Sequence, residues 1–530
     1  MKIELTRFIG EQPRYDSHQL PPEAAELARD CFYDDGTLAP RFEPDPIVAN
    51  LVPGTVRGLF RYTDVHWFSW DSYVNAIRSP IANDPYDRVY YTGDGVPRVT
   101  SNLIATGSDP KPAASYHLGV PAPTVAPLAA VVDGGDDSDS STDESRAYVY
   151  TYVTEYGEEG PPSPASNIVV LDDPTQDTVD LTLQTISPNL ANIQYKRIYR
   201  TATGSTTEFY LVDTIPVATV NWNDSVLAAN LGALLATEDF DPPPSDMQGL
   251  VMGANGIAAG FTGNEFCMSE PYLPYTYPIP YRRSTEHPIV AVAATTTGFV
   301  AATTGYPYLY TGVHPNSVAE RKIEIMQACV SAESMVDMGS MVIYASPDGL
   351  VSVSEAGANV ITTAILKKRD WEQFYPETIR AFRYEDQYVA FYDDGQGGAG
   401  FVFEPEYGTI TRLSYYATAG YLDLETDTLY LVIGGQLVAW DEANTRDSFL
   451  WRSKEFQTPD ITFAAVKVWS ATPANIGLKV TVDGRTVLDL PSLPAEQFKI
   501  PPEKGNRWQV ELTGTAAVDR FALAQEMGDL

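Results

Sequence analysis

The sequence predicts an all-β fold: a six-bladed β-propeller with an inserted immunoglobulin-like or fibronectin type III-like sandwich and a small C-terminal β domain. Short runs of Val, Tyr, Thr, Phe and Ile alternate with Gly, Pro, Asn and Asp along the chain, and a sustained period of 3.6 residues is almost absent. The second observation is a repeat of glycine-bearing turns in the C-terminal half. The third is one stretch in which tyrosines alternate with other side chains.

Chain length, composition and net charge limit the possible functions. The chain has 530 residues, which suggests three or four structural units of roughly 150 residues each. Apolar residues make up 44% and charged residues 20%, so disorder is excluded as the main state. The 70 acidic against 35 basic side chains give a net charge of -35, which repels nucleic-acid phosphates. Sequence-specific binding of DNA or RNA by the surface as a whole is therefore not expected.

The repeat predicts the propeller. Its turn glycines are 37 to 48 residues apart, close to the length of a four-stranded blade, about forty to fifty residues. Apolar strands flank each turn, which predicts five blades. A sixth is predicted from strands at 58–62, 67–70, 73–77 and 88–91, with a hairpin turn at Asp94 and Gly95. The alternative is a set of unrelated meanders. The turn glycines are Gly263, Gly305, Gly349, Gly397 and Gly434.

Composition shifts divide the chain into four parts. Residues 1–127 are predicted to form an N-terminal arm and the first blade, 128–245 the inserted sandwich with its flanking linkers, 246–457 the remaining blades, and 458–530 the C-terminal β domain. The acidic stretch 133–144 lacks apolar residues and 239–246 holds three consecutive prolines, so both are interpreted as linkers. Within the insert, Tyr148, Tyr150 and Tyr152 are expected to line one face of a strand.

Three further features bear on the fold and its compartment. Residues 22–29 hold good helix formers after a proline, a pattern typical of a short helix. Cys31, Cys267 and Cys329 lack the spacing of a disulfide framework or a zinc site, and we interpret them as buried thiols. No signal peptide and no stretch of about twenty apolar residues is found, so folding in a cytoplasm without a membrane span is expected.

From the sequence motifs we predict that the protein is not an enzyme and has no cofactor and no metal centre. The nucleophile-elbow, Walker, zinc-protease and dinucleotide motifs are all absent from the sequence. The acidic pairs Glu158–Glu159 and Asp393–Asp394 have the residue types of a glycosidase, but a chain with 70 acids contains such pairs by chance. The five histidines are isolated from other candidate ligands: His18, His66, His117, His287 and His314.

Other motifs have a binding interpretation beside a plainer one. The turn from Ser346 to Gly349 matches only the beginning of a sialidase aspartate box. The stretch 133–144 has calcium-ligand types but lacks the glycine and flanking helices of an EF-hand, which favours a linker. Aromatic clusters at 67–70 and 272–278 suit sugar stacking or a partner, with core packing favoured. The basic run Lys367, Lys368 and Arg369 is either a contact with another protomer or partner, or a solvated turn.

Six stretches of the sequence carry a family resemblance: LPPEAAELARDCFYDDGTLAP at 20–40, SPIAND at 79–84, RVYYTGDGVP at 88–97, LGVPAP at 118–123, YTYVTEYGEEGPPSP at 150–164 and YKRIYR at 195–200. These stretches resemble virion proteins of tailed bacteriophages. The chain is most similar to the tail nozzle family, also called tail tubular protein B, of short-tailed phages, across residues 12–455.

This resemblance implies a structural protein of the virion tail, assembled in the host cytoplasm. It implies a hexameric ring below the tail adaptor that contacts tail fibres or spikes and continues the DNA channel without sequence-specific binding. It also implies that the ring gates genome ejection, and it brings no catalytic or binding residues. An acidic lumen would repel the passing phosphates. The alternatives are a receptor- or glycan-binding propeller of the tail hub or fibre, and an enzyme that cleaves polysaccharide.

Overall fold

The computed structural model describes residues 1–135, 140–141, 143–203 and 207–530. The chain is all-β, as predicted. Within the described ranges the only α-helix is a single turn, α1 (Lys368–Trp371), and none is long and apolar enough to cross a membrane. Short 3-10 turns lie at Ser17–Gln19, Ala228–Asn230, Ala254–Gly256, Ile279–Tyr281, Pro315–Ser317, Ala332–Ser334, Glu372–Phe374, Pro376–Thr378, Pro473–Asn475 and Met527–Asp529.

The chain forms two compact units. The first unit comprises residues 1–73, 286–310 and 320–530, and the second comprises 74–285 and 311–319. The first 73 residues of the first unit contain the strands β1 (Lys2–Leu5), β2 (Ile9–Glu11), β3 (Ala24–Arg29), β4 (Cys31–Asp34), β5 (Thr37–Pro40), β6 (Asp45–Ile47), β7 (Gly58–Arg61) and β8 (Trp67–Trp70).

The short helix expected at 22–29 is wrong: this stretch is β3. It runs parallel to β2 and pairs on its other side with a strand more than 400 residues later in the chain. Ala24, Ala25 and Ala28 are buried between these neighbours. The burial of small side chains in the sheet therefore outweighs the helix propensity of the sequence.

The second unit begins with a four-stranded antiparallel sheet, and eight strands follow it. The sheet contains β9 (Asn75–Arg78), β10 (Val89–Thr92), β11 (Arg98–Thr100) and β12 (Tyr116–His117). The eight strands are β13 (Leu128–Val132), β14 (Glu144–Arg146), β15 (Tyr148–Thr154), β16 (Val169–Leu171), β17 (Thr178–Thr182), β18 (Ile193–Thr201), β19 (Phe209–Pro216) and β20 (Asn221–Asp224).

These eight strands form two three-stranded sheets and one two-stranded sheet. Strands β15, β18 and β19 form one antiparallel sheet, β13, β17 and β20 form another, and β14 pairs with β16. Tyr148, Tyr150 and Tyr152 pack with Val179 and Leu181 from the opposing sheet. The predicted common face of the three tyrosines is thereby confirmed.

A second four-stranded sheet closes the second unit. It contains β21 (Gln248–Met252), β22 (Ala258–Thr262), β23 (Glu265–Met268) and β24 (Arg283–Ser284). Its first strand contacts β9, the first strand of the earlier sheet. The proline-rich stretch before β21 packs closely on Gly119, where a Cβ would lie 2.6 Å from Pro242 Cβ.

Four further sheets follow one another in the first unit. Their strands are β25 (Ile289–Thr295), β26 (Gly298–Thr303), β27 (Tyr308–Thr311) and β28 (Ala319–Lys322); β29 (Val336–Asp337), β30 (Val342–Ser346), β31 (Gly349–Ser354) and β32 (Gly357–Val360); β33 (Arg380–Tyr384), β34 (Gln387–Tyr392), β35 (Ala399–Glu404) and β36 (Thr409–Leu413); and β37 (Ala417–Asp423), β38 (Thr428–Ile433) and β39 (Gln436–Ala439).

The last of these sheets takes its fourth strand from the other end of the chain. Strand β6 pairs antiparallel with β39, with Ile47 opposite Leu437 and Asp45 opposite Ala439. The first strands of successive sheets in this unit contact one another, β25 with β29, β29 with β33 and β33 with β37. Gly263, Gly305 and Gly434 lie at the connection between the second and third strands of a four-stranded sheet, and Gly349 begins the third strand of another. Gly397 lies at the connection between β34 and β35.

The strands expected to form one blade at 58–91 belong to two different sheets. Strands β7 and β8 form a two-stranded sheet, and β7 contacts β37, whereas β9 and β10 share a sheet with β11 and β12. The hairpin turn at Asp94 and Gly95 joins β10 to β11 as predicted, with Gly95 at a φ of 86°. The sequence predicted the positions of these strands correctly, but it did not predict which of them pair in one sheet.

The C-terminal strands share one sheet with strands from the start of the chain. They are β40 (Phe449–Ser453), β41 (Phe456–Trp469), β42 (Ile476–Val482), β43 (Arg485–Leu490), β44 (Phe498–Gly514) and β45 (Arg520–Ala524). Strand β1 pairs with β45, β3 pairs with β40, and β2 and β3 connect this ladder to β36. One sheet of 13 strands results.

Candidate functional site

The acidic pair Glu158–Glu159 is divided between two hydrogen-bond networks. Arg88 donates from Nη1 to Glu158 Oε1 at 2.7 Å and from Nε to Asp84 Oδ2 at 2.7 Å. Glu159 accepts from Thr151 Oγ1 at 2.6 Å and from the Tyr199 hydroxyl at 2.6 Å. Both carboxylates are buried, and each is held by its own set of donors.

Glu158 is the more perturbed member of the pair. Burial raises its pKa to about 7, although the Arg88 guanidinium acts in the opposite direction. The same guanidinium also serves Asp84, and the charge of the Asp84 carboxylate adds a smaller increase to the pKa of Glu158.

The second acidic pair, Asp393–Asp394, shapes a turn. Asp393 Oδ1 accepts from the N–H of Gly395 at 2.9 Å, and Asp394 Oδ1 accepts from those of Gln396 and Gly398 at 2.8 and 3.0 Å. These backbone donors lower the pKa of Asp394. Both carboxylates therefore stabilise the connection between β34 and β35.

The histidines and cysteines do not form a metal centre in the described part of the chain. No group of three or more His, Cys, Asp or Glu side chains in those ranges is placed to hold a metal ion. Cys31, Cys267 and Cys329 are buried free thiols, as predicted, and burial raises the pKa of each to about 12. The calcium interpretation of 133–144 includes residues 136–139 and 142, which lie outside the described residues.

The aromatic clusters are mostly core, as the favoured interpretation held. Trp67 and Trp70 are buried, and the Trp67 ring lies 4.8 Å from that of Tyr430. In the second cluster Tyr275 and Tyr277 are buried. Tyr272 is half exposed in this cluster.

A cleft of about 420 Å³ lies beside this second cluster in the second unit. Glu238, Asp239 and Glu270 line it together with Phe240 and Tyr281, and no basic side chain is among its lining residues. Burial and the Glu270 carboxylate raise the pKa of Tyr281 to about 12. The sequence gives no signal for this cleft because its walls come from three separate segments, 235–240, 270–281 and Asn316.

An acidic surface lies at one end of the strands of the first unit. We call it the acidic hairpin end and define it by six exposed carboxylates in or beside the β7–β8, β33–β34 and β37–β38 turns and after β39: Asp64, Glu385, Asp386, Glu425, Asp427 and Glu442.

Contacts within the unit place these turns together. Arg61 contacts Asp64 at 3.2 Å and Asp423 at 2.5 Å, which connects the β7–β8 turn to the β37–β38 turn. Tyr384, at the end of β33, lies 5.0 Å from the Trp440 ring that follows β39. Burial, with Asp441, Glu385 and Glu442 nearby, raises the pKa of Tyr384 to about 12.

Two apolar side chains stand at the tips of the same turns. Val65 is 87% exposed in the β7–β8 turn and Leu424 is 82% exposed in the β37–β38 turn. They directly follow Asp64 and Asp423, which share the Arg61 guanidinium. The acidic hairpin end therefore presents a pair of apolar tips among carboxylates.

The basic run lies at the other end of the strands. Lys368 Nζ donates to Asp348 Oδ1 at 2.8 Å, in the turn between β30 and β31. That turn is also the partial aspartate-box match, and Trp371 Nε1 donates to the Ser346 carbonyl within it at 2.8 Å. The turn thus anchors the basic run.

Arg14 joins the basic run in space. Its N–H donates to the Ile365 carbonyl at 2.6 Å, and its guanidinium donates to the Thr363 carbonyl at 2.6 Å. Arg14, Lys367, Lys368 and Arg369 are all exposed, and we call these four residues the basic patch. No sequence signal connects Arg14 to a run some 350 residues later.

Most of the net charge lies on residues that are not buried. In the described ranges only ten acidic and five basic side chains are buried. Buried acids such as Asp224, Asp84 and Glu11 are paired with arginines. The excess of carboxylates is therefore a property of the surface.

Comparison with known proteins gives no family. No family model and no curated protein matches the chain. Among solved structures, Hsv2 of K. marxianus is 10% identical, with a TM-score of 0.24 over 61% of this chain and 94% of that one. The extracellular domain of a putative one-component system of B. thetaiotaomicron is 8% identical, with a TM-score of 0.25 over 94% of this chain and 60% of that one. At these TM-scores neither likeness bears on fold or function.

Proposed function

We propose that this chain is a tail nozzle protein of a short-tailed bacteriophage, a structural virion protein whose ring continues the DNA channel below the tail adaptor and gates genome ejection. The observation that carries the proposal is the sequence resemblance described above, combined with an acidic surface. A wall with excess carboxylates repels phosphates, so duplex DNA passes without adhering.

The proposed architecture is a propeller of six four-stranded blades with an immunoglobulin-like insert. Three observations support it: five four-stranded sheets together with the four consecutive strands β33–β36 of the 13-stranded sheet, the contacts between first strands of successive sheets within each unit, and the strand that β6 contributes to β39. In this arrangement the sandwich of β13–β20 follows the first blade, and the β7–β8 hairpin is an addition.

Electron microscopy of the purified protein, alone and co-expressed with its tail adaptor, tests the ring. A closed ring with a pore wider than a DNA duplex is the expected result. A persistent monomer in both preparations would contradict it. The gate is tested in whole particles, where a constriction is expected before ejection and an open channel afterwards.

The role of the charge is tested on particles in which carboxylates that line the observed lumen are replaced by Lys. Attraction to phosphate is expected to slow genome release. Equal numbers of Lys substitutions on the outer surface provide the control. Unchanged release in the lumenal variants would remove the acidic wall from the mechanism.

The acidic and aromatic cleft favours a second candidate function, a glycan- or receptor-binding module of the tail. Carboxylates beside Phe240 and Tyr281 have the residue types that hold sugar hydroxyls and stack on sugar rings. Glycan-array binding by the purified chain, lost in Asp239→Asn with Glu270→Gln and kept in Asp213→Asn, would support it. Absence of binding to every glycan would remove it.

A further inference from the structure

Two surfaces of the first unit have opposite charge and lie at opposite ends of the same strands. Strand β30 (Val342–Ser346) begins beside the β29–β30 turn and ends at the turn that binds Lys368. The β29–β30 turn belongs to the end that carries the acidic hairpins, because Arg383 of β33 reaches it: a Cβ at Gly339 in this turn would lie 3.6 Å from Arg383 Nη1. A five-residue strand separates the two ends by about 17 Å.

The acidic hairpin end has little opposite charge of its own. Arg61 is already shared between Asp64 and Asp423, and Arg383 reaches Asp386 only at 3.9 Å. The neighbouring apolar tips, Val65 and Leu424, are more than four-fifths exposed. Apolar side chains surrounded by a charged rim are the usual composition of a protein contact surface.

The basic patch is the complementary surface. The Asp348 carboxylate forms an ion pair with Lys368. The side chain of Arg369 is 81% exposed and lies 3.5 Å from the Asp370 carboxylate. Lys367 and Arg14 are exposed beside it. In a chain of net charge -35, the sole run of three consecutive basic residues is therefore presented outward on an anchored turn.

We propose that the basic patch of one copy binds the acidic hairpin end of a second copy. The contact joins two different surfaces, so it is heterologous, and repetition closes a ring when the rotation between copies permits. The inference rests on the proposed homo-oligomer and adds to it the surfaces that meet. Charge sets the register and the rate of encounter, while Val65 and Leu424 supply the apolar contact.

A charge exchange tests the contact. Variant one carries Lys367→Glu with Arg369→Glu, which leaves the internal bond of Lys368 intact. Variant two carries Glu385→Lys with Asp386→Lys, and variant three combines all four substitutions. The control is Lys499→Glu with Lys504→Glu, the same charge change as variant one at exposed positions of β44.

Assembly is measured by sedimentation velocity at low and high salt with the full chain, and thermal unfolding verifies that every variant is folded. Variants one and two are each expected to weaken association about tenfold or more, and variant three to restore it. Assembly of the control is expected to equal that of the unmodified chain.

Three results would overturn the inference: assembly that survives variants one and two, assembly that variant three does not restore, and a chain that stays monomeric even with its adaptor. The first two leave a ring without this contact, so the nozzle proposal survives them. The third removes the nozzle proposal as well.

Discussion

Arg88 Nη1 donates to Glu158 Oε1 at 2.7 Å, and the same guanidinium binds Asp84 through Nε. The three groups connect the β9–β12 sheet to the loop that follows β15 within the second unit. One positive charge between two buried carboxylates leaves one of them to be neutralised by a proton. This makes the second unit sensitive to pH near neutrality.

Glu158→Gln is expected to flatten the pH dependence of stability. Burial raises the pKa of Glu158 to about 7, while the unfolded chain releases this proton near the ordinary value of 4.5. The folded state thus binds more protons between these values, so the free energy of unfolding falls as pH rises through them, by up to about 3 kcal/mol. Urea unfolding at pH 5, 6, 7 and 8 measures the free energy of unfolding of both proteins. If this free energy falls with pH as steeply in the variant as in the unmodified chain, the assignment is refuted.

Asp224→Ala is expected to destabilise the second unit strongly. Asp224 is fully buried, pairs with Arg200, accepts from the Tyr148 hydroxyl at 2.8 Å and lies 3.7 Å from Arg146. Its removal leaves two buried guanidinium groups short of negative charge, at a cost of about 3 to 5 kcal/mol. Denaturant unfolding measures the loss. Asp213→Ala, at an exposed position of β19, is the matched control and should change stability by less than about 0.5 kcal/mol.

Gly119→Ala is expected to disturb the packing of the proline-rich stretch. Gly119 has a φ of 93°, and a Cβ there would lie 2.6 Å from Pro242 Cβ and 2.7 Å from Pro243 Cδ. Strain and overlap together should cost about 2 to 4 kcal/mol. Gly95→Ala is the control, since it shares the positive φ but meets nothing within 4 Å. Equal melting temperatures for the two variants would contradict the close packing.

The three thiols are expected to resist modification in the folded protein. Burial excludes reagent and raises the pKa of Cys31, Cys267 and Cys329 to about 12, so little thiolate forms at pH 8. Titration with a thiol-reactive dye should give no rapid reaction in buffer and full reaction in guanidinium. Rapid labelling of any one thiol would show that its part of the core opens.

Sequence predicted those features of the fold that depend on neighbouring residues. Turn glycines such as Gly263 and Gly434 mark a hairpin whose two strands lie within ten residues of them, so the pattern is local. The pairing of Ala28 with Trp451 is not local, and no pattern in 22–29 could have indicated it. For the same reason Arg14 could not be assigned to the basic patch.

The charged surfaces and the cleft also depend on residues that are distant in the sequence. The run from Lys367 to Arg369 was visible in sequence, whereas the acidic hairpin end collects single turns from several sheets, each unremarkable alone. The cleft beside Glu270 also brings together three segments that are separate in sequence. A run of like residues is visible in the sequence, whereas a cleft or a charged surface built from distant segments is visible only in the folded structure.

The pairing of β1 with β45 and of β6 with β39 has a consequence for synthesis. A ribosome releases residues 2–47 long before the partners at 436–439 and 520–524 exist. For that interval the strands have unpaired edges and the sheets they complete cannot close. At roughly 5 to 20 residues per second the wait lasts tens of seconds or more, during which chaperones or neighbouring nascent chains compete for those edges. The yield of native protein should therefore depend on how crowded the polysome is.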